Sequence, residues 1–243
     1  MKISNNMEYQ KINTLFKRDE NNIIIPEEYT MEEFVYLKDC KFECTEKIDG
    51  TNIRIELDNT NGEVVMEFKG RTDKADIPKH LLNKLNQLFN KEKLIEVFNL
   101  NERNTKITIY GEGYGMKIQK GGNYISNDVD FILFDIKIGN WWLQRKQLEE
   151  IASALNIKIV PIIDYMTIPQ AIEYVKNGFK STIAENKDYN AEGLVLKTPN
   201  GLLLRNGERL ILKIKTIDFI KYKVAKESLE YFKDLIEQGK MLI

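Results

Sequence analysis

The 243-residue sequence predicts an α+β fold, antiparallel sheets with helices on the outside, and three observations carry that prediction. Several short runs alternate apolar and polar residues, as half-buried strands do. Other stretches space their apolar residues as one face of a helix. The two kinds of run mix without the regular strand–helix–strand rhythm of a parallel sheet.

In chain order, the first forty residues read as irregular, with Pro26 and a polar run from Arg18 to Asn22. Phe42 to Lys47 and Ile53 to Leu57 alternate as two strands around the tight loop Ile48-Asp49-Gly50-Thr51-Asn52, and Glu63 to Lys69 alternates again. Pro78 opens a helix carrying Leu81, Leu82, Leu85, Leu88 and Phe89. A strand from Lys106 to Glu112 leads into a Gly-rich segment, Gly111 to Gly122, and a strong strand follows from Val129 to Ile138. Leu148, Ile151, Ala152 and Leu155 mark a helix, Lys158 to Ile163 a strand, and Ile168 to Val175 a short helix. Glu192 to Lys197, Leu202 to Arg205 and Arg209 to Lys215 read as three strands, and Ile217 to Gln238 as an amphipathic helix or two. No Ser/Gly/Pro-rich linker interrupts this order, so one domain over residues 1–243 is expected, with a helical tail at 217–240.

Composition narrows the classes. Hydrophobic residues make up 42% and charged residues 30%, a globular balance rather than a disordered one. No apolar run approaches the roughly 20 residues that span a bilayer. Met1 to Gln10 is too polar for a signal peptide, so a cytoplasmic protein is expected, with no membrane partner and no sign of an oligomer. A net charge of −1 rules out a global positive field, leaving any nucleic-acid contact to local basic clusters. Cys40 and Cys44 have no His or further Cys beside them and predict neither zinc nor a disulfide. His80, the single histidine, reads as a surface residue at a helix start.

Five segments combine residues that structure alone would not place there. Lys47 ends a strand beside a Gly-containing loop. Such a lysine is usually a surface residue flanking a turn, but it can also be a nucleophilic amine that attacks phosphorus. That role requires partial deprotonation, through desolvation or neighbouring positive charge. Strand alternation in Arg209 to Lys215 puts Leu210, Leu212 and Ile214 on one face and Arg209, Ile211, Lys213 and Lys215 on the other. Lys213 and Lys215, roughly 7 Å apart by strand rise, would bracket a phosphate chain. Tyr110-Gly111-Glu112-Gly113-Tyr114-Gly115 joins close-approach glycines to a carboxylate suited to a ribose hydroxyl or a metal water. Phe131 to Ile136 is a strand whose aromatics could stack on a purine or simply fill the core. Glu192 begins, and Lys197 ends, a buried-looking strand in which an unpaired carboxylate would be costly, so a cationic or metal partner is expected.

In this order, Lys47-Ile48-Asp49-Gly50, Tyr110-Gly111-Glu112, Phe134-Asp135-Ile136, Glu192 to Lys197 and Lys213-Ile214-Lys215 resemble motifs I, III, IIIa, IV and V of the covalent nucleotidyltransferase superfamily: DNA ligases, RNA ligases and capping enzymes. The resemblance runs from about residue 42 to 219. Asn52, five residues after Lys47, the pair Arg71-Thr72, and Lys197, five residues after Glu192, make it closest to the RNA ligase 2 type and to small phage and bacterial RNA ligases. Asp49 departs from that type, which often has His there. Only 28 residues follow Lys215, too few for an OB-fold domain.

The resemblance implies an ATP-dependent RNA ligase. Lys47 would take up AMP, pass it to a 5′-phosphate end, and a 3′-hydroxyl would displace it. Glu46 and Phe134 would hold adenine, and Asn52 and Lys197 would complete the nucleotide site. Glu112 and Arg71 would address ribose and phosphates, while Lys213 and Lys215 would neutralise the α-phosphate. Mg2+ or Mn2+ would sit near Glu192 and Glu112. RNA ends, including a nick in a duplex, are the implied partners. A minimal DNA ligase, or a nucleotide-binding protein of the same fold without turnover, is the alternative. Trp141 and Trp142 could stack bases, but alternation favours one core and one surface tryptophan. Met116 to Lys120 could contact phosphate, though a solvated basic loop is the plainer reading.

Overall fold

The computed structural model describes residues 7–119 and 121–237. The chain begins with β1 (Asn13–Thr14), β2 (Phe16–Arg18), β3 (Ile24–Tyr29) and the short helix α1 (Glu32–Tyr36). There follow β4 (Phe42–Lys47), β5 (Thr51–Asp58), β6 (Val65–Lys69), α2 (Lys79–Leu88), α3 (Lys91–Phe98) and β7 (Lys106–Gly115). The second half holds β8 (Val129–Ile138), β9 (Trp141–Trp142), α4 (Arg145–Leu155), β10 (Lys158–Ile159), β11 (Ile162–Met166) and α5 (Ile168–Lys176). It closes with β12 (Gly193–Lys197), β13 (Ile211–Lys215) and α6 (Thr216–Glu237).

Two main sheets organise these strands, in the orders β1-β13-β12-β4-β11 and β10-β8-β7-β5-β6, with β9 added on β8. Pairing is antiparallel except at β1 against β13 and β10 against β8. Each sheet has its own core. Ile53, Ile55, Phe131 and Leu133 pack under α2, α3 and α4, whereas Phe42, Leu194, Leu212 and Ile214 pack under α5 and the start of α6. A third cluster, with Ile48, Tyr114, Tyr124, Ile132, Val160 and Ala184, lies between them. Ile48 follows β4, Tyr114 sits on β7 and Ile132 on β8, so the third cluster ties the Lys47 loop to the second sheet.

Several elements depart from the sequence reading. The first forty residues carry three strands and a helix, because Asn13 and Thr14 add to the edge of β13 and Phe16 and Ile24 fill the core there. The run expected as one strand from Lys158 to Ile163 splits at Val160 and Pro161, and its halves join different sheets. Leu202 to Arg205 is not a strand; Leu202 and Leu203 are exposed, and only a single bridge pairs Leu203 with Arg209. Helix α3, capped by the Asn90 side chain on the Lys93 N–H, has no counterpart in the sequence reading. Cys44 lies in β4, but Cys40 lies in the turn before it, and both are free thiols. His80 is exposed in the first turn of α2. Among the described residues no helix is long and apolar enough to cross a membrane. Residues 1–6, Lys120 in the basic loop and 238–240 of the expected tail lie outside the described residues.

Candidate active site

Lys47 is the last residue of β4, and the loop after it turns tightly into β5. Gly50 makes that turn possible: a Cβ there would lie 2.4 Å from the Gly113 carbonyl oxygen and 2.8 Å from Glu112 Cγ. The loop therefore rests on β7, and Lys47 reaches the same space as Glu112.

The central strand β12 supplies the second half. Gly193 pairs with Lys47 on one side and with Lys215 on the other. A Cβ at Gly193 would meet the Ile214 carbonyl oxygen at 2.0 Å, so only glycine allows this approach. The residue just before it, Glu192, thus sits between the two lysines. Its Oε2 accepts from Lys47 Nζ at 2.5 Å and its Oε1 from Lys215 Nζ at 2.6 Å.

Lys213 shares the face of β13 with Lys215 and is half-buried, as alternation requires. Burial, followed by the nearby charges of Lys47 and Lys215, pushes its ammonium down to about 8. Arg71, exposed beyond β6, adds to that depression. The positive charge that the sequence reading sought around the nucleophile is present, and Lys213 feels it.

Across the cleft, Asn52 and Glu112 face each other in the β5–β7 register. Asn52 Oδ1 is buried with no hydrogen-bond partner among the described residues, the mark of an atom waiting for a ligand group. Burial raises the Glu112 carboxyl to about 8; Lys47 opposes the shift, while Glu192 and Asp49 add to it. Phe134 reaches the same space by alternation with Ile132, and a bulge in β8 then keeps Asp135 on that side as well. Tyr110 pairs with Asp135 and Gly111 with Leu133, leaving Phe134 unpaired between them. The bulge shifts the phase of the strand, so Ile136 enters the same core as Leu133 although three residues separate them, while Phe134 packs on the other side.

A cavity of about 90 Å3 joins Lys47, Asn52, Glu112, Phe134 and Lys197, with Tyr9 on its wall. At its far end Lys197 donates to the Phe134 carbonyl at 2.9 Å and to Asp135 Oδ2 at 2.8 Å. Asp135 also accepts two bonds from Arg209, at 3.0 and 2.9 Å, and one from the Tyr9 hydroxyl. Burial alone would raise the Asp135 carboxyl, but the charges of Arg209 and Lys197 overcome it and hold it well below the usual range.

Residues 41–215 match the family described as RNA ligase. The chain belongs to the RNA ligase family. Solved structures give the same fold. An RNA ligase of Naegleria gruberi with PPi matches with a TM-score of 0.58 and 22% identity over 87% of this chain and 57% of that one. A mutant of that ligase with ATP and Mn matches at 0.57 and 19% identity, over 88% and 63%. A further mutant with AMP and Mn gives 0.55 and 20%, over 86% and 57%. The chain thus spans about three fifths of the length of these structures.

In this RNA ligase-family chain, Lys47, Asn52, Glu112, Phe134, Glu192, Lys213 and Lys215 come together at the cleft between the sheets. The structure adds partners for three groups. Glu46 lines the cavity, and its buried carboxylate already accepts from Ser181 Oγ, the Thr182 N–H and Thr182 Oγ1, at 2.5 to 2.8 Å. Lys197 lines the cavity as well, and together with Arg209 it neutralises Asp135. Glu192 is held by two lysines, and the described residues contain no group of three potential metal ligands. This donor set suits an ion that keeps waters and phosphate oxygens in its shell, not one caged by protein. Tyr9 lies in a polar segment that carries no periodic signal, and nothing local to the Phe134-Asp135-Ile136 motif shows which cations meet Asp135.

Proposed function

We propose that this chain is an ATP-dependent RNA ligase, acting as a single nucleotidyltransferase domain, that joins 5′-phosphate and 3′-hydroxyl ends of RNA through AMP carried on Lys47. The observation that supports this most is the register of β12, which sets Glu192 between Lys47 and Lys215 at the edge of a cleft whose far wall offers Asn52, Glu112 and Phe134.

ATP enters the cavity beside Lys47. Phe134 stacks on adenine, and Asn52 Oδ1 gains the partner it lacks. Lys213 and Lys215 meet the phosphates. Lys47 leaves Glu192 and gives up a proton, for which Glu192 is the nearest acceptor. The Lys47 nitrogen lone pair then forms a bond to the α-phosphorus, the bond to pyrophosphate breaks, and pyrophosphate leaves with the electron pair. A divalent ion bound with the phosphates, held through water by Glu192 and Glu112, would neutralise charge on that leaving group. A 5′-phosphate oxygen of RNA next takes AMP from Lys47, and a 3′-hydroxyl displaces AMP to form the phosphodiester.

Intact-mass measurement after incubation with ATP and magnesium tests the reading. One AMP per chain is expected, and none on Lys47→Ala with unchanged circular dichroism. ATP binding without any adduct would identify a nucleotide-binding protein instead, and sealing of nicked DNA in preference to single-stranded or nicked RNA would identify a DNA ligase.

A further inference from the structure

A second and larger cavity, about 580 Å3, shares Lys197 with the cleft but opens between β9 and the segment after β12. Its volume falls in the range that encloses a small ligand. Three features of its wall select the chemistry it would take.

Trp141 stands on it 80% exposed, on a two-residue strand at the tip of the β8–β9 hairpin. Behind it, Trp142 is fixed by the Arg209 guanidinium, 3.5 Å from its ring centroid, and by the Tyr110 ring at 5.4 Å. The fold uses Trp142 for packing and leaves Trp141 as a free indole on a braced support. Arg209, whose side chain is 7% exposed, also lines the cavity, and its Nε–H has no acceptor among the described residues. A buried donor left this way calls for a ligand acceptor. The charges on the wall are largely neutralised, because Asp135 and Glu43 stand against Lys197 and Arg209 and the third cation, Arg145, pairs with Glu149. A phosphate gains little there. An uncharged planar ring with acceptor atoms fits, and the exposed amides of Asn140 and Asn200 offer both donors and acceptors at its rim.

We propose that this cavity holds an unpaired nucleobase of the RNA strand, stacked on Trp141 with its edge toward Arg209 and the two amides. The inference rests on the RNA ligase reading for the identity of the strand. It gives the protein a base-holding subsite that shares a wall with the nucleotide cleft, so a strand anchored here has its end close to the reaction.

The test is binding of single-stranded oligouridylate, followed by tryptophan fluorescence and by anisotropy of a labelled strand, with lysyl-AMP formation measured in parallel. Uridylate avoids competition for an adenine pocket. Base stacking on an aromatic is worth about 1–3 kcal/mol, so Trp141→Ala should raise the dissociation constant roughly 5- to 150-fold. Trp141→Phe should restore most of the affinity. Lysyl-AMP formation should be unchanged in both variants, because Trp141 lies outside the Lys47 cleft. An oligomer with abasic riboses should bind wild type and Trp141→Ala equally. Equal affinity of wild type and Trp141→Ala for oligouridylate, equal affinity of wild type for the abasic strand, or no RNA binding by a protein that still forms lysyl-AMP would each overturn the subsite. Trp141-dependent binding without lysyl-AMP would leave the subsite standing and overturn the covalent reading.

Discussion

The two ends of the cleft repeat one arrangement in two environments. At one end Glu192 lies between Lys47 and Lys215; at the other Asp135 lies between Lys197 and Arg209. The Asp135 side chain is 2% exposed and that of Glu192 16%. Asp135 also takes a bond from the buried Tyr9 hydroxyl, which closes its surroundings. Glu192 holds lysines whose side chains are 21% and 30% exposed and can find water if released. Burial therefore separates two roles that charge alone would not: the Asp135 cluster is fixed structure, and the Glu192 cluster can exchange its partners for a ligand.

The strongest way to break that comparison is to remove each carboxylate. Asp135→Ala leaves two buried cations facing each other, and a loss of about 3–5 kcal/mol in unfolding free energy is expected. Glu192→Ala should cost about 1 kcal/mol or less, since its lysines remain in reach of water. Urea unfolding of the two variants decides this; equal losses would mean that both clusters are structural.

Next in size are the lysines on β13. Removing one preorganised cation from developing phosphate charge typically costs about 10²–10³ in rate. Lys213→Ala and Lys215→Ala should slow lysyl-AMP formation by that much without the loss of stability that a core change brings. Leu212→Ala, on the opposite face of the strand and fully buried, should instead lose about 2–5 kcal/mol of stability. If all three variants lose stability alike, the two faces of β13 do not divide the labour between catalysis and core.

The smallest effect is on pH dependence. Burial raises Glu112 from an ordinary carboxyl value of 4.5 to about 8, so the folded protein holds a proton that the unfolded chain releases. Stability from this group is fully present below about 4.5 and declines as pH rises toward about 8. Lys213 acts oppositely. Its folded value of about 8 lies below the ordinary 10.5, so stability is regained as pH rises between those values. Asp135, held ionised, contributes no such slope near neutrality. Glu112→Gln should flatten the fall in melting temperature between pH 5 and 8, measured without nucleotide. An unchanged slope would place the titration elsewhere.

By itself, the sequence determined the α+β class, most strand positions and the chemical cast of the cleft. Lys47 beside Gly50, the carboxylates Glu112 and Glu192, and the alternating Lys213 and Lys215 are local patterns, and a strand's two-residue period settles which side chains share a face. The same period separated exposed Trp141 from packed Trp142. Tertiary structure decided which of these groups meet. The register of β12 set Glu192 between its two lysines, and a bulge in β8 brought Asp135 to the same side as Phe134. Packing brought Tyr9 and Arg209 to Asp135 across 126 and 74 residues of chain, and Ser181 and Thr182 to Glu46 across 135 and 136. A periodic pattern fixes the direction of a side chain relative to its own strand. Its partner depends on pairing and packing between segments far apart in the chain, and neither is encoded within any one of them.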